Sequence, residues 1–304
     1  MNNTIINKDL IIKINSFLKK AESLRYLDAN IFESIDSYKK LETSDFNEYY
    51  LDYISSLPKL DFETAVKISR EVYQLYGKEN EFDDIINRLI NNNNIDNGSL
   101  NKDDDNCITK ASESRILLSG TYYDVILICH EVGHKLKSVS NLNNTDIMDG
   151  FFFETPSITL ELSANDYLKD IYGIDINADE LRKKHVLSIQ RGNDIESNIF
   201  STVIRLLKER KLNVVNLYIK FMKNPSIIEY FNQQGSTIED CIEEGMSTYS
   251  YDIGYILGNY IKNSSNRNEI LNMILDCKDN GLNIPFSIDE EIIKESLSSQ
   301  KYTK

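Results

Sequence analysis

His130-Glu131-Val132-Gly133-His134 closes an apolar run, Val125-Ile126-Leu127-Ile128-Cys129, and the two together read as one buried helix over residues 121–138. Each residue of a helix turns the chain by about 100°, so histidines four apart lie about 40° from one another on one face. Two imidazoles so placed can hold one metal ion from the same side. Glu131 projects beside them, near enough to act on a water at such an ion without being a ligand. A centre of this kind still lacks a third ligand, an acceptor for an imidazole N–H, and a donor for charge that develops on a substrate. The rest of the chain has to supply those parts.

Downstream, a polar stretch from Ser138 to Asp149 ends at Gly150 and gives way to Phe151-Phe152-Phe153-Glu154-Thr155-Pro156-Ser157-Ile158-Thr159-Leu160-Glu161-Leu162. Pro156 suits the first turn of a helix, with Thr155 as its N-cap. The three phenylalanines and Ile158, Leu160 and Leu162 mark the segment as buried. Glu154 and Glu161 are seven apart, which on a helix is about 20° short of two full turns, so both carboxylates point the same way. Burying two carboxylates on an apolar helix is costly without a cation or a donor. Glu154 fits the third-ligand role, and Glu161 fits the acceptor that orients an imidazole. The alternative is a surface carboxylate at a helix start, where the helix dipole favours Glu154.

Upstream, residues 8–92 read as amphipathic helices. Leu10, Ile11, Ile14, Phe17, Leu18 and Leu24 recur at helical spacing. Asp61, after Pro58, is placed to cap a helix bearing Ala65, Val66, Ile68, Val72 and Leu75, and Phe82, Ile85, Ile86, Leu89 and Ile90 form a further apolar set. Nothing here carries chemistry, so the segment reads as scaffold or lid. Residues 91–106 are polar and turn-rich, and their acidic run Asp103-Asp104-Asp105 lacks the spaced ligands of a calcium loop. The chain therefore divides into a helical lobe, 1–106, and a catalytic region, 107–304, which can also form one continuous unit. Arg115–Ser119 reads as a short strand ending at Gly120. Placed just before the motif helix, it is expected to be an edge strand, open to pairing with an extended peptide. The fold class that follows is mainly α, with a small β element beside the motif helix.

Composition excludes some partners. The net charge is −14, which lacks the cationic footprint that nucleic acid or an anionic membrane requires. Cys107, Cys129, Cys241 and Cys277 show no C-x-x-C spacing, so they are neither a disulfide framework nor a cysteine metal site. Cys129 falls in the buried helix as a small core residue. The first residues form no signal peptide and no apolar run approaches a membrane span, so the expected location is the cytoplasm.

Late in the chain, Ser236-Thr237-Ile238-Glu239 is a capping box that opens a helix running through Tyr249, Tyr251, Gly254, Tyr255, Gly258 and Tyr260. Tyr251 and Tyr255 are four apart and share a face. Helices near 195–209 and 212–223 read as scaffold, and Pro285 with Ser287-Ile288-Asp289-Glu290 opens a last helix. His185, the one histidine outside the motif, could be a ligand or a plain helical residue, and Glu154 fits the ligand role better.

Gly120-Thr121-Tyr122-Tyr123-Asp124-Val125 leading into His130-Glu131-Val132-Gly133-His134, then Glu154-Thr155-Pro156-Ser157 and Glu161, resembles the M3 family of zinc oligopeptidases, which includes thimet oligopeptidase and oligoendopeptidase F. The family pattern is H-E-x-G-H followed by a segment like E-x-x-S-x-x-x-E. The resemblance covers mainly residues 115–165 and 236–262, in a chain about half the family's usual length. It implies a helical zincin fold of the gluzincin type, one zinc ion held by His130, His134 and Glu154, Glu131 as the base, Glu161 as support, and hydrolysis of short or unstructured peptides. Tyr251, Gly254 and Tyr255 match the family's tyrosine helix, whose hydroxyls polarise the scissile carbonyl. Packing is the alternative for these tyrosines, and more so for Tyr249. The sequence departs from the family at Gly245-Met246-Ser247-Thr248, where a histidine is usual, and at Gly258, where a third tyrosine falls. The departures admit a second reading, a catalytically weak or specialised zinc protein that binds peptides. A structural helical protein with a chance motif is a third.

Overall fold

The computed structural model describes residues 34–35, 50–96, 107–110, 113–138, 152–188, 195–234, 238–276 and 296. The expectations for residues 8–24, the acidic run 103–105, the polar stretch 139–150, the Ser236-Thr237 end of the capping box and the last helix lie outside these residues. The described chain is mainly helical. The helices are α1 (Tyr50–Ser56), α2 (Phe62–Gln74), α3 (Glu79–Asn91), α4 (Tyr123–Ser138), α5 (Glu154–Tyr167), α6 (Ala178–Ser188), α7 (Ile195–Lys208), α8 (Val214–Met222), α9 (Pro225–Gln234), α10 (Ile238–Asn263) and α11 (Arg267–Leu275). No described helix is long and apolar enough to cross a membrane.

The amphipathic upstream helices form for the expected reasons. Asp61 caps α2, its carboxylate accepting from the Thr64 N–H at 2.9 Å and the Thr64 hydroxyl at 2.8 Å. α2 buries Ala65, Ile68, Val72 and Tyr73, and α3 buries Phe82, Ile85, Ile86 and Leu89. Ile90, counted in the same apolar set, is instead exposed. Both helices pack on α4, and α2 also reaches α5. Polar contacts lock them there. The Tyr73 hydroxyl donates to the Cys129 carbonyl at 2.9 Å, and the Tyr76 hydroxyl bonds Ser163 Oγ at 2.6 Å. One hydrophobic core runs from these helices through α4, α5, α7 and α10. Among the described residues, helices on both sides of residue 106 share this core.

The β element is a three-stranded sheet, β1 (Ile95–Asp96), β2 (Cys107–Lys110) and β3 (Glu113–Leu117), in the order β1-β3-β2. β3 runs parallel to β1, with Ile95 opposite Ile116, and antiparallel to β2, with Cys107 opposite Ile116 and Lys110 opposite Glu113. The strand before the motif helix is therefore central, not an edge: β2 pairs with it from Glu113 to Ile116, and β1 at Ile116 and Leu117. It also ends earlier than expected. Ser119 leaves strand geometry because its N–H and hydroxyl both donate to the Asp124 carboxylate at 2.6 Å, joined by the Gly120 N–H at 2.9 Å. Gly120 makes the turn at φ 70°, in the left-handed region that glycine tolerates. This turn delivers the chain into α4.

α5 is the central helix. It packs against α4 on one side and α10 on another, and every residue from Glu154 to Asn165 is buried. Such a helix has no solvent face to supply an amphipathic period. Its hydroxyls are satisfied along its own backbone: Thr159 Oγ1 donates to the Thr155 carbonyl and Ser163 Oγ to the Thr159 carbonyl, both at 2.7 Å. The helix begins at Glu154, with Phe153 rather than Thr155 at the N-cap. Glycines let the flanking helices close in. A Cβ on Gly133 of α4 would stand 2.7 Å from Ser157 Cα, and one on Gly254 of α10 would stand 2.8 Å from Ile158 Cδ1 and 2.9 Å from Glu154 Cβ. α5 is thus gripped between two helices at backbone distance, at the turn that carries Glu154 and Ser157.

Candidate metal centre

His130 and His134 come from one face of α4, as the four-residue spacing requires, and Glu154 from the first turn of α5. Their ligand atoms converge. His130 Nε2 and His134 Nε2 are 3.0 Å apart, and Glu154 Oε2 lies 3.6 Å from the first and 3.7 Å from the second. Ligand atoms at 2.0–2.2 Å from a tetrahedral ion stand about 3.4 Å apart, so the triangle has the size of three corners of such a shell. Among the described residues this is the one group of three or more His, Cys, Asp or Glu side chains able to hold a metal ion.

The far side of each imidazole is occupied, which fixes what the near side offers. His130 Nδ1 is 2.8 Å from Glu161 Oε2, and His134 Nδ1 is 2.8 Å from Ser157 Oγ. With Nδ1–H donating to the Glu161 carboxylate, His130 keeps a lone pair on Nε2. Burial, with the neighbouring His130, holds the His134 pKa well below the usual imidazole range, so His134 is neutral as a ligand must be. Glu154 Oε2 is buried and has no hydrogen-bond partner. Glu154 Oε2 thus faces the two Nε2 atoms with no hydrogen-bond donor of its own, an arrangement that a cation between them would satisfy. The donor set of two nitrogens and one oxygen fits a divalent metal ion of borderline softness.

Two further carboxylates surround the triad. Burial alone would raise the Glu161 carboxyl. The Arg182 guanidinium and the His130 ring outweigh it and hold Glu161 at about 2. Arg182 Nε donates to Glu161 Oε1 at 3.0 Å and a second guanidinium nitrogen to Oε2, a two-point grip that only a planar fork provides. Glu131 is buried, with Oε1 4.0 Å from His130 Nε2. It stands beside the convergence point without joining it.

The two tyrosines of α10 part company. Tyr251 faces the centre: the Glu154 carboxylate beside it, and then burial, push its hydroxyl pKa up. Tyr255, one turn on, is buried and donates to Asp179 Oδ1 of α6 at 3.3 Å. A shared helical face is broad enough for the two to meet different helices, so the structure brings Tyr251 and not Tyr255 to the triad. Tyr249 is packing, its ring 5.4 Å from that of Phe200 and its hydroxyl 3.2 Å from Ser201 Oγ. His185 is not in the cluster of ligand atoms found among the described residues. Its ring lies 5.3 Å from that of Tyr251. Gly258 has no room for a third tyrosine, since a Cβ there would meet the Thr159 backbone nitrogen at 3.2 Å.

Sequence reading missed Arg182 and the partner of Ser157. The signal for Arg182 was the demand of a buried Glu161 for a cation, met by the basic run Arg182-Lys183-Lys184-His185. The signal for Ser157 was its place three residues after Glu154, on the same face. No family model, no curated protein and no solved structure matches the chain.

Proposed function

We propose that this chain is a zinc peptidase of the M3-like, gluzincin type, cutting short or unstructured peptides. The observation that supports the reading most is the convergence of His130 Nε2, His134 Nε2 and the partnerless Glu154 Oε2 with Glu131 beside them. His130, His134 and Glu154 would hold the ion, and Glu161 and Ser157 fix the two rings. When bound, zinc supplies a Lewis acid that polarises a carbonyl and acidifies a water. Glu131 takes the proton from the attacking water and returns it to the leaving amine. Tyr251, kept protonated by the charge of Glu154 and by burial, donates to the carbonyl oxygen as negative charge develops there.

The test is metal analysis joined to a peptide-library digest. Glu131→Gln is expected to keep zinc and lose about 10²–10⁴-fold in cleavage. Near-wild-type hydrolysis in that variant would falsify the mechanism. A second reading, a zinc-dependent peptide-binding protein with weak turnover, is favoured by one observation. The Tyr255 hydroxyl is engaged by Asp179, which leaves one tyrosine at the triad. Zinc-dependent peptide affinity without turnover of any library member would select that reading.

A further inference from the structure

Phe153 sits in the turn that opens α5, next to Glu154. Its neighbours Phe152 and Glu154 are 1% and 4% exposed, whereas Phe153 is 38% exposed. One face of its ring lies on the His134 imidazole, with centroids 4.2 Å apart and planes inclined by 15°. His134 is itself anchored through Ser157, so the phenyl ring stands on a fixed base at the edge of the triad. An aromatic side chain carries about 150–250 Å² of surface, and each Å² removed from water is favourable by about 25 cal/mol. A ring left half in water beside a metal centre is a surface prepared for a ligand. Glu131 and Glu154 lie at the triad, within 4.0 Å of His130 Nε2, and the cationic Lys135 and Arg182 also act on His134.

We propose that Phe153 sets specificity. It receives an aromatic or large aliphatic side chain from a peptide residue flanking the scissile bond. The inference rests on the peptidase reading and names its substrate class. The stacked His134 gives the ring its orientation, and the exposed part of the ring offers edge-to-face or offset packing to the incoming side chain.

The experiment uses zinc-loaded Glu131→Gln protein and labelled peptides in matched sets, each carrying Phe, Leu or Ala at one position, read by fluorescence polarisation. The same peptides are digested by the wild type. Phe is expected to bind about tenfold more tightly than Ala at one position only. Adding Phe153→Ala is expected to bring the Phe/Ala ratio close to one with zinc still bound. Phe153→Leu retains the base on His134 and is expected to keep an aliphatic preference while losing the aromatic one. A preference absent, spread evenly along the peptide or unchanged by Phe153→Ala overturns the proposal. So does loss of zinc in both variants, which would assign the ring to holding His134. Aromatic preference in binding with no cleavage by the wild type sinks the peptidase reading and leaves the recognition standing. Cleavage without aromatic preference does the reverse.

Discussion

Arg182 shows how a single side chain can act on the triad through another. It grips the carboxylate that fixes the His130 ring, and its charge also acts on His130, His134 and Glu154. Outer partners of this kind are typically worth 10–100-fold in metal affinity. Arg182→Gln is therefore expected to weaken zinc binding by about that factor, measured by competition with a chelating dye. An unchanged affinity in a folded variant would assign the guanidinium to packing alone. His130, Glu131 and His134 were legible in the sequence because their geometry is internal to one helix. Glu154 and Glu161 were legible because a seven-residue spacing fixes a shared face. Arg182 was not, because its partner is chosen by how α6 docks on α5. Tyr251 and Tyr255 mark the limit between the two cases. Sequence gives their common face, but a rise of about 6 Å over four residues carries one to Glu154 and the other to Asp179.

Among the elements, α5 was recognised from its content and misjudged at its start. A helix buried all round shows no period, so only its apolar residues and Pro156 betrayed it. The expected edge strand failed for a related reason. Pairing on both sides of β3 depends on β1 and β2, two short segments whose own patterns carry little signal. The glycines that bring α4 and α10 onto α5 make a graded prediction. Gly254→Ala places a methyl group 2.9 Å from Glu154 Cβ and 3.0 Å from its carbonyl carbon. Overpacking of this kind costs about 1–3 kcal/mol, and the displaced Glu154 should weaken zinc binding as well. Gly258→Ala meets its neighbours at 3.2–3.4 Å and is expected to cost less. Urea denaturation of the pair checks the order, and a larger loss at Gly258 would contradict the packing described here.

For the whole molecule, the single core has a thermodynamic consequence. An ion that binds only the native state stabilises it by about 2.7 kcal/mol when present at a hundred times its dissociation constant. Removing it with a chelator should lower the midpoint of unfolding. Because α2 and α10 belong to one hydrophobic cluster, the loss should register equally in both, as followed by hydrogen exchange. A shift confined to α10 would mean that residues 50–96 unfold on their own and that the boundary near residue 106 is a real division.

The enclosure of α5 also bears on how the protein comes into being. Glu154, Ser157 and Glu161 acquire their positions only when α4 and α10 have closed over them, and α10 lies near the end of the described chain. A chain emerging during synthesis carries both histidines long before it has a centre in which to use them. If the triad holds an ion, its uptake would then follow the closure of α10 rather than precede it.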